Sequence, residues 1–318
     1  MSLVATLTLN PALDTSTSVA GIVPDQKLHC AAPKTEAGGG GINVSRGLHR
    51  LGTPSVAVYP AGGHTGALLE ALLTAEGIAS CVIPTQSAVR ENFVVVDTAS
   101  HQQYRFGMPG ALLTAAEQGE ILEALHRLTP LPDFVVLSGS LPPGMPPEFL
   151  ARVARQAREV GSKVVVDTSG PAMLAVIEAG AYLIKPNLGE LSQLAGVPEL
   201  DNAGVVATAR QLISADRCEI VVVSMGPQGA CLVTCDLEDH IAAPVVKRRS
   251  TVGAGDSMVA GMVHALVRGQ SLREAVRLGV ACGTAATMNP GTELFHPADV
   301  ERLYRCLLQA MSAPHPTA

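Results

Sequence analysis

The run Ser250-Thr-Val-Gly-Ala-Gly-Asp-Ser257 leads into an apolar helical stretch from Met258 to Val267, and its residue types suit phosphoryl chemistry. Glycines at 253 and 255 let the backbone turn tightly where a helix starts. The amides of Ala254, Gly255 and Asp256 then lack helical partners and form an anion hole. Asp256 stands at the same terminus, where the helix dipole is expected to keep its carboxylate ionised. Phosphoryl transfer to a hydroxyl needs both parts. A base takes the proton, and donors steady the charge spreading over the γ-phosphate. The competing reading is a glycine-rich turn with Asp256 as an ordinary cap.

A second run, Gly38-Gly-Gly-Gly-Ile-Asn-Val44, opens a helix from Val44 to Leu51. Four glycines allow a ligand close to the backbone, and Asn43 offers a donor and an acceptor to a sugar hydroxyl. A flexible hinge is the alternative. Neither GxGxxG opening a helix nor GxxxxGK[ST] occurs, so the dinucleotide and Walker-A fingerprints do not apply. In Lys185-Pro-Asn-Leu-Gly-Glu190, Asn187 and Glu190 lie three apart and face one spot at a helix start. That suits Mg2+ through water, or a cap and an N-terminal charge. Ser224-Met-Gly-Pro-Gln-Gly229 follows another strand and reads as a backbone nest for nucleotide phosphates or as a plain hairpin turn. Lys27, Arg90 and Arg105 are isolated cations, each by itself a solvated surface charge. Arg does bind phosphate bidentately, and an acidic protein with anionic substrates needs some such charge. His29, His64 and His101 lack metal-ligand spacing.

These groups need elements that bring them to one place. Short apolar runs (Val56–Tyr59, Phe134–Leu137, Val164–Val166, Tyr182–Ile184, Ile220–Val223) alternate with amphipathic stretches such as Thr114–Leu128, Pro147–Val160 and Ala203–Ile213. That alternation predicts βαβ units, with a mostly parallel sheet and helices on both faces. Ligands bind such sheets beyond the carboxyl ends of the strands. Small or polar residues stand there: Ser138-Gly139-Ser140, Asp167-Thr168-Ser169, Lys185-Pro186-Asn187 and Ser224-Met225-Gly226. Thr15–Glu36 and Arg90–Phe106 look instead like hairpin strands, the second turning at Thr98–Gln102. They are expected to project as a small β-sheet lid.

Length allows one large domain or two smaller ones, and no repeat or low-complexity tract appears among the 318 residues. With 47% apolar, 16% charged and 3% aromatic residues, the core must be built from Ala, Val and Leu, as suits a buried parallel sheet. A net charge of −6 argues against nucleic-acid binding. Seven scattered cysteines without CxxC pairs read as buried reduced thiols rather than zinc ligands or disulfides. No basic leader precedes the strand-like Leu3–Leu9, and no apolar run reaches the roughly 18 residues of a membrane span. The expectation is a cytoplasmic protein whose tail from Ser312 frays.

Taken in order, GGGGINVSR (Gly38–Arg46), SGSLPPG (Ser138–Gly144), KPN..E (Lys185–Glu190), SMGPQGA (Ser224–Ala230) and STVGAGDSM (Ser250–Met258) resemble the PfkB family of ribokinase-like sugar kinases. The likeness runs from Thr8 to about Leu308. It implies one ribokinase-like domain over residues 1–318, a three-layer α/β core with lid strands near 15–36 and 90–107, and a homodimer contact through the lid. Relatives acting on fructose 1-phosphate or tagatose 6-phosphate usually carry GGKG where this chain has Gly38–Gly41. Gln103–Gly110 also looks like the version in members acting on fructose 6-phosphate.

The resemblance thus implies phosphorylation of the 1-hydroxyl of fructose 6-phosphate by ATP with Mg2+, with tagatose 6-phosphate or fructose 1-phosphate as the alternative substrate. By position, Asp256 is the base and Gly253, Ala254 and Gly255 the anion hole. Asp14 grips sugar hydroxyls with Gly39, Gly40 and Asn43. Lys27, Arg90, Arg105 and Ser140 hold the 6-phosphate end. Lys185, Asn187, Ser224, Gly226, Pro227, Gln228, Gly229, Gly283 and Thr284 line the nucleotide, and Glu190 organises Mg2+. A monovalent cation such as K+ would sit on backbone carbonyls of Ser250, Val252, Ala286, Asn289, Gly291 and Glu293, the last replacing an expected Arg. A non-catalytic sugar-phosphate sensor is a different class, against which the intact Asp256, anion hole and Glu190 speak. An NAD-dependent Rossmann enzyme lacks its glycine fingerprint.

Overall fold

A computed structural model describes residues 2–312; of the tail expected to fray from Ser312, that residue ends the last helix and the rest lies outside the described residues. β1 (Val4–Leu7) leads to two strands that leave the core, β2 (Ala12–Val19) and β3 (Lys34–Gly38), before α1 (Gly40–Arg50) returns to it. β4 (Ser55–Ala61), α2 (Gly63–Ala75) and β5 (Ala79–Pro84) build one edge, and β6 (Arg90–Asp97) and β7 (Gln103–Phe106) leave again. Then come α3 (Ala115–Arg127), β8 (Phe134–Ser138), α4 (Glu148–Glu159), β9 (Lys163–Asp167), α5 (Gly170–Ala179) and β10 (Ala181–Ile184). α6 (Leu188–Ala195), α7 (Asn202–Ser214), β11 (Cys218–Ser224), β12 (Ala230–Val233) and β13 (Glu238–Ile241) follow. α8 (Ala254–Val267), α9 (Leu272–Thr287) and α10 (Pro297–Ser312) close the order.

The large sheet has nine strands in the order β13-β12-β11-β10-β9-β8-β1-β4-β5. It is parallel from β5 to β11, and β12 and β13 add antiparallel at one edge. Side chains alternate between faces as the pleat requires. Val164 and Val166 join Ile121, Val153 and Ile177 in one core layer, while Val165 meets Val44, Val259 and Met262 in the other. Both faces of β9 are therefore dry, which explains its unbroken valine run. Fully burying each such side chain is worth about 1.5–3 kcal/mol, so a charge at Val165 would break this layer. The helices have local reasons to start. Thr114 and Glu117 form a capping box at α3, and Ser271 and Glu274 another at α9.

The second sheet runs β3-β2-β6-β7. β2 and β6 are parallel, and the two outer pairs antiparallel. The β6–β7 hairpin turns where the sequence predicts. The first expected strand pair is corrected: β2 begins at Ala12, and residues 20–33 carry no strand but a long connection. The thiols also depart from expectation. All seven are free, but only Cys218, Cys231 and Cys282 are buried, because Cys30, Cys235 and Cys306 fall on a loop, a turn and an outer helix face.

Candidate active site

The start of α8 faces the carboxyl ends of β8, β9 and β10. Gly253, at φ 71°, takes the left-handed conformation that admits the turn. Among the described residues the amides of Gly255 and Asp256 have no hydrogen-bond partner, so the anion hole is open at two positions. Ala254 is the exception to the expectation. Its N–H reaches Thr251 O at 3.5 Å, because the chain tightens into a short turn before the helix.

Asp256 is held from two sides: Asn43 Nδ2 donates to its Oδ2 at 2.9 Å, and Ser138 Oγ to its Oδ1 at 3.4 Å. The sequence reading of a carboxylate kept ionised by the helix dipole is corrected here. Burial, and then the negative Asp167 nearby, push its pKa up to about 7, against the pull of Asn43, Lys185 and Ser138. That value suits a base working near neutrality.

The glycine loop opens differently from the way its sequence suggests, because protein groups fill the space its glycines leave. A Cβ on Gly40 would meet the Gly139 amide at 2.7 Å, and one on Gly41 would meet Thr8 Oγ1 at 2.6 Å. Thr8 Oγ1 in turn accepts from the Ile42 amide at 2.8 Å, capping α1 where its own N-cap, Gly39, has no side chain. Asp14 lies under Gly38 and accepts from Asn92 Nδ2 at 2.8 Å. Burial raises its pKa, with Asn92 and Arg90 opposing.

Arg90 donates to Asn10 O at 3.0 Å and Met108 O at 2.9 Å, and its Nε is buried without a partner. Asn10 also donates to Ser140 Oγ at 3.2 Å, so Arg90, Asn10 and Ser140 form one cluster. Two expected cations are not in it. Lys27 sits exposed on the 20–33 connection, and Arg105 instead donates to Thr251 Oγ1 at 2.7 Å, tying β7 to the loop before α8. Both follow from strand geometry: Lys27 lies beyond the end of β2, and Arg105 on the outermost strand of the lid.

On the other side of Asp256, Lys185 is buried and pairs with Asp167 at 3.0 Å. Burial works to lower its pKa, but the Asp167 carboxylate more than offsets this and leaves it raised. Asp167 was missed as a site residue. The sequence places it at a polar strand end suited to a site but gives it no role, and only the neighbouring strand brings its lysine. Asn187 bridges to Ser224, joining the two strand-end loops.

Asn187 and Glu190 form a capping box, Glu190 N donating to Asn187 Oδ1 at 2.9 Å and Asn187 N to Glu190 Oε2 at 2.8 Å. The capping reading of the pair is thus what the geometry contains; one Glu190 oxygen is engaged in it. Burial raises the Glu190 pKa, opposed by the Asn187 amide and Lys185. Of the two readings of Ser224–Gly229, the geometry contains the hairpin turn between β11 and β12. Its amides at Met225, Gln228 and Gly229 close onto Gly229, Met225 and Gly226 carbonyls. A Cβ on Gly283 would meet Ala254 O at 3.0 Å, so α9 packs tightly on the anion-hole turn beside half-buried Thr284.

The segments 250–252 and 286–293 do come together. Ser250 Oγ donates to Gly291 O at 2.7 Å and accepts from the Val252 amide at 3.2 Å, and Asn289 Nδ2 ties to Leu294 O at 2.8 Å. Ala286 O already accepts the Asn289 amide at 3.2 Å. The Glu293 side chain turns to Lys34 and His296, at 3.5 and 3.2 Å. Among the described residues no group of three or more His, Cys, Asp or Glu side chains is arranged to hold a metal ion.

The chain is similar to known proteins over nearly its whole length. A relative from Mycobacterium tuberculosis named ATP-dependent 6-phosphofructokinase isozyme 2 is 44% identical over 95% of this chain and 88% of its own. A Rhodobacter capsulatus 1-phosphofructokinase is 34% identical over 95% of this chain and 96% of its own. The solved structure of Escherichia coli phosphofructokinase-2 in complex with potassium superimposes with a TM-score of 0.92 at 41% identity, covering 97% of this chain and 100% of that one. Residues 8–299 match the family described as pfkB family carbohydrate kinase. With that match running from the end of β1 into α10, the chain belongs to the pfkB family of carbohydrate kinases.

Proposed function

We propose that the chain is an ATP-dependent 6-phosphofructokinase of the cytoplasm, transferring the γ-phosphoryl group of ATP to the 1-hydroxyl of fructose 6-phosphate. The observation that carries this is Asp256: a buried carboxylate with a pKa of about 7, beside two free amides at a helix start. It takes the hydroxyl proton as the oxygen attacks, while the Gly255 and Asp256 amides receive the charge of the transferred group. Asp14 and Asn43 orient the sugar through its hydroxyls, and Arg90, with its unpartnered Nε, takes the sugar's phosphate beside Ser140.

Lys185 and the Asn187–Ser224 ledge line the nucleotide. The residues fit Mg2+ held through water, because Glu190 keeps one oxygen outside its capping box. When bound, Mg2+ neutralises charge on the phosphates. The carbonyls of the 250–252 and 286–293 segments are the donor set for K+. The name of the M. tuberculosis relative supports fructose 6-phosphate over fructose 1-phosphate. So does the resemblance, because relatives acting on fructose 1-phosphate usually carry Lys where this chain has Gly40. The outer lid face supports a homodimer through the lid: Phe93 pairs with Phe106 across the strands, and both are exposed, with Tyr104 beside them.

A coupled assay of ADP formation over a panel of ketose phosphates tests the reading. Catalytic efficiency should fall from fructose 6-phosphate to tagatose 6-phosphate to fructose 1-phosphate. A clear preference for fructose 1-phosphate overturns the substrate, and no sugar-dependent ADP release overturns the enzyme.

A further inference from the structure

Asn43 and Arg46 lie one turn apart on the same face of α1. Asn43 presents its amide nitrogen to Asp256 Oδ2 at 2.9 Å, and its oxygen faces Arg46 Nη1 at 3.5 Å. This arrangement selects one orientation of the amide. Turned over, its oxygen would face the Asp256 carboxylate and its NH2 group the guanidinium, and both contacts would be repulsive.

Arg46 is itself immobile. It is 2% exposed, grips Glu76 with Nε and Nη2 at 2.8 Å each, donates to Ala37 O at 2.8 Å and reaches Glu36 at 3.4 Å. Glu36 also accepts from Thr292 Oγ1 at 2.9 Å. A buried arginine with this many partners costs desolvation that an apolar residue would avoid. Its contact with Asn43 gives it a use beyond holding α1, α2 and β3 together.

We propose that Arg46 is a positioning residue for catalysis, fixing the Asn43 amide so that its donor end meets the Asp256 carboxylate. The inference deepens the proposed function and rests on Asp256 as base. The groups facing Asp256 are Asn43 from α1, Ser138 at the end of β8, Asp167 from β9 and Lys185 after β10. Those facing Arg46 are Glu36 and Glu76, with Arg50 and Asp14 close enough to feel its charge. Arg46→Lys keeps that charge but cannot hold Glu76 and face Asn43 at once, so a change at Asp256 reports the amide and not the Coulomb field.

The test is the titration of Asp256, followed by carboxyl 13C NMR of the whole protein labelled at aspartate and assigned by the resonance missing in Asp256→Asn. This readout does not depend on turnover. A failed base assignment therefore shows separately, as an Asp256→Asn enzyme that keeps its rate. In Arg46→Lys the midpoint should rise by about one pH unit, as a lost hydrogen bond to the charged form requires. The acid limb of kcat/KM should move with it. In an Asn43→Ala background the same substitution should add no further shift, because the amide through which it acts is gone. An unmoved midpoint, or an equal shift with and without Asn43, overturns the proposal. If Arg46→Lys fails to fold, the half-exposed Glu76→Gln, which loosens the clamp without removing Arg46, decides. It should shift the midpoint the same way by less, and no shift overturns the proposal.

Discussion

Gly38 and Asp14 share one space: a Cβ on Gly38 would lie 2.5 Å from Asp14 Cγ. No positive φ restrains Gly38, so the residue is glycine because the carboxylate needs the room. Gly38→Ala should fold, since the obstacle is the end of a side chain, but Asp14 must swing away from Asn92. The KM for fructose 6-phosphate should then rise at least about tenfold, the cost of roughly one charge-assisted hydrogen bond, with the KM for ATP nearly unchanged. Steady-state kinetics in both substrates checks this. Equal KM values in mutant and wild type would remove Asp14 from the sugar site.

Arg90→Ala removes a guanidinium whose two Nη groups are fixed on Asn10 and Met108 carbonyls and whose Nε is free for an anion. A lost charge-assisted phosphate contact is worth about 1.5–3 kcal/mol, or roughly 10- to 100-fold in the sugar KM. An unchanged sugar KM would leave Arg90 a structural tie between β6 and the 107–110 segment.

Glu190→Gln keeps the capping box, because an amide oxygen also accepts the Asn187 N–H. Only the charge is lost. The Mg2+ concentration for half-maximal rate should rise several-fold while thermal stability stays level. Identical Mg2+ titrations would assign the metal to another carboxylate, with Asp167 the next candidate.

How much of this was legible in the sequence depended on whether a residue's partner lay nearby in the chain. The turn at Gly253–Gly255, the valine strands and the β6–β7 hairpin are local patterns, and they stand where the sequence puts them. Arg46 reads as a polar position on an amphipathic helix and is nevertheless buried, because Glu76 and Glu36 come from elements 30 and 10 residues away. Asp167 and Lys185 meet only because β9 and β10 are neighbours in the sheet. The four glycines of the loop read in the sequence as room for a ligand. What approaches, however, is Asp14, Thr8 and the Ser138–Gly139 backbone.

Asp167→Asn should act on the base in the opposite sense to Arg46→Lys. The Asp167 charge is the second cause raising the Asp256 pKa, and its removal leaves Lys185 to pull that pKa down. The acid limb of kcat/KM should move to lower pH. A limb that stays put or moves up would mean that Asp167 and Asp256 do not sense each other.

Asp256→Asn separates base from cap on two axes. An amide cannot take the hydroxyl proton, and general-base catalysis typically contributes about 10²–10⁴-fold, so kcat should fall by about 10³ with both KM values within a few-fold. Single-turnover measurement is needed, because slow product release would hide the loss. Retention of more than about a tenth of the wild-type rate would sink the base assignment. Stability gives the second axis, and its sign follows from the raised pKa. The folded state holds the Asp256 proton up to about pH 7, whereas the unfolded chain releases it near the ordinary carboxyl value of 3.8. Between those limits the group's contribution to stability is present at low pH and is lost as pH rises. Asp256→Asn abolishes that loss, so relative to wild type it should gain Tm from pH 5 to about pH 7 and level off above it, by an amount on the order of a few kcal/mol in stability. A cap whose carboxylate was already ionised and satisfied would give the reverse: a mutant no more stable than wild type at pH 8.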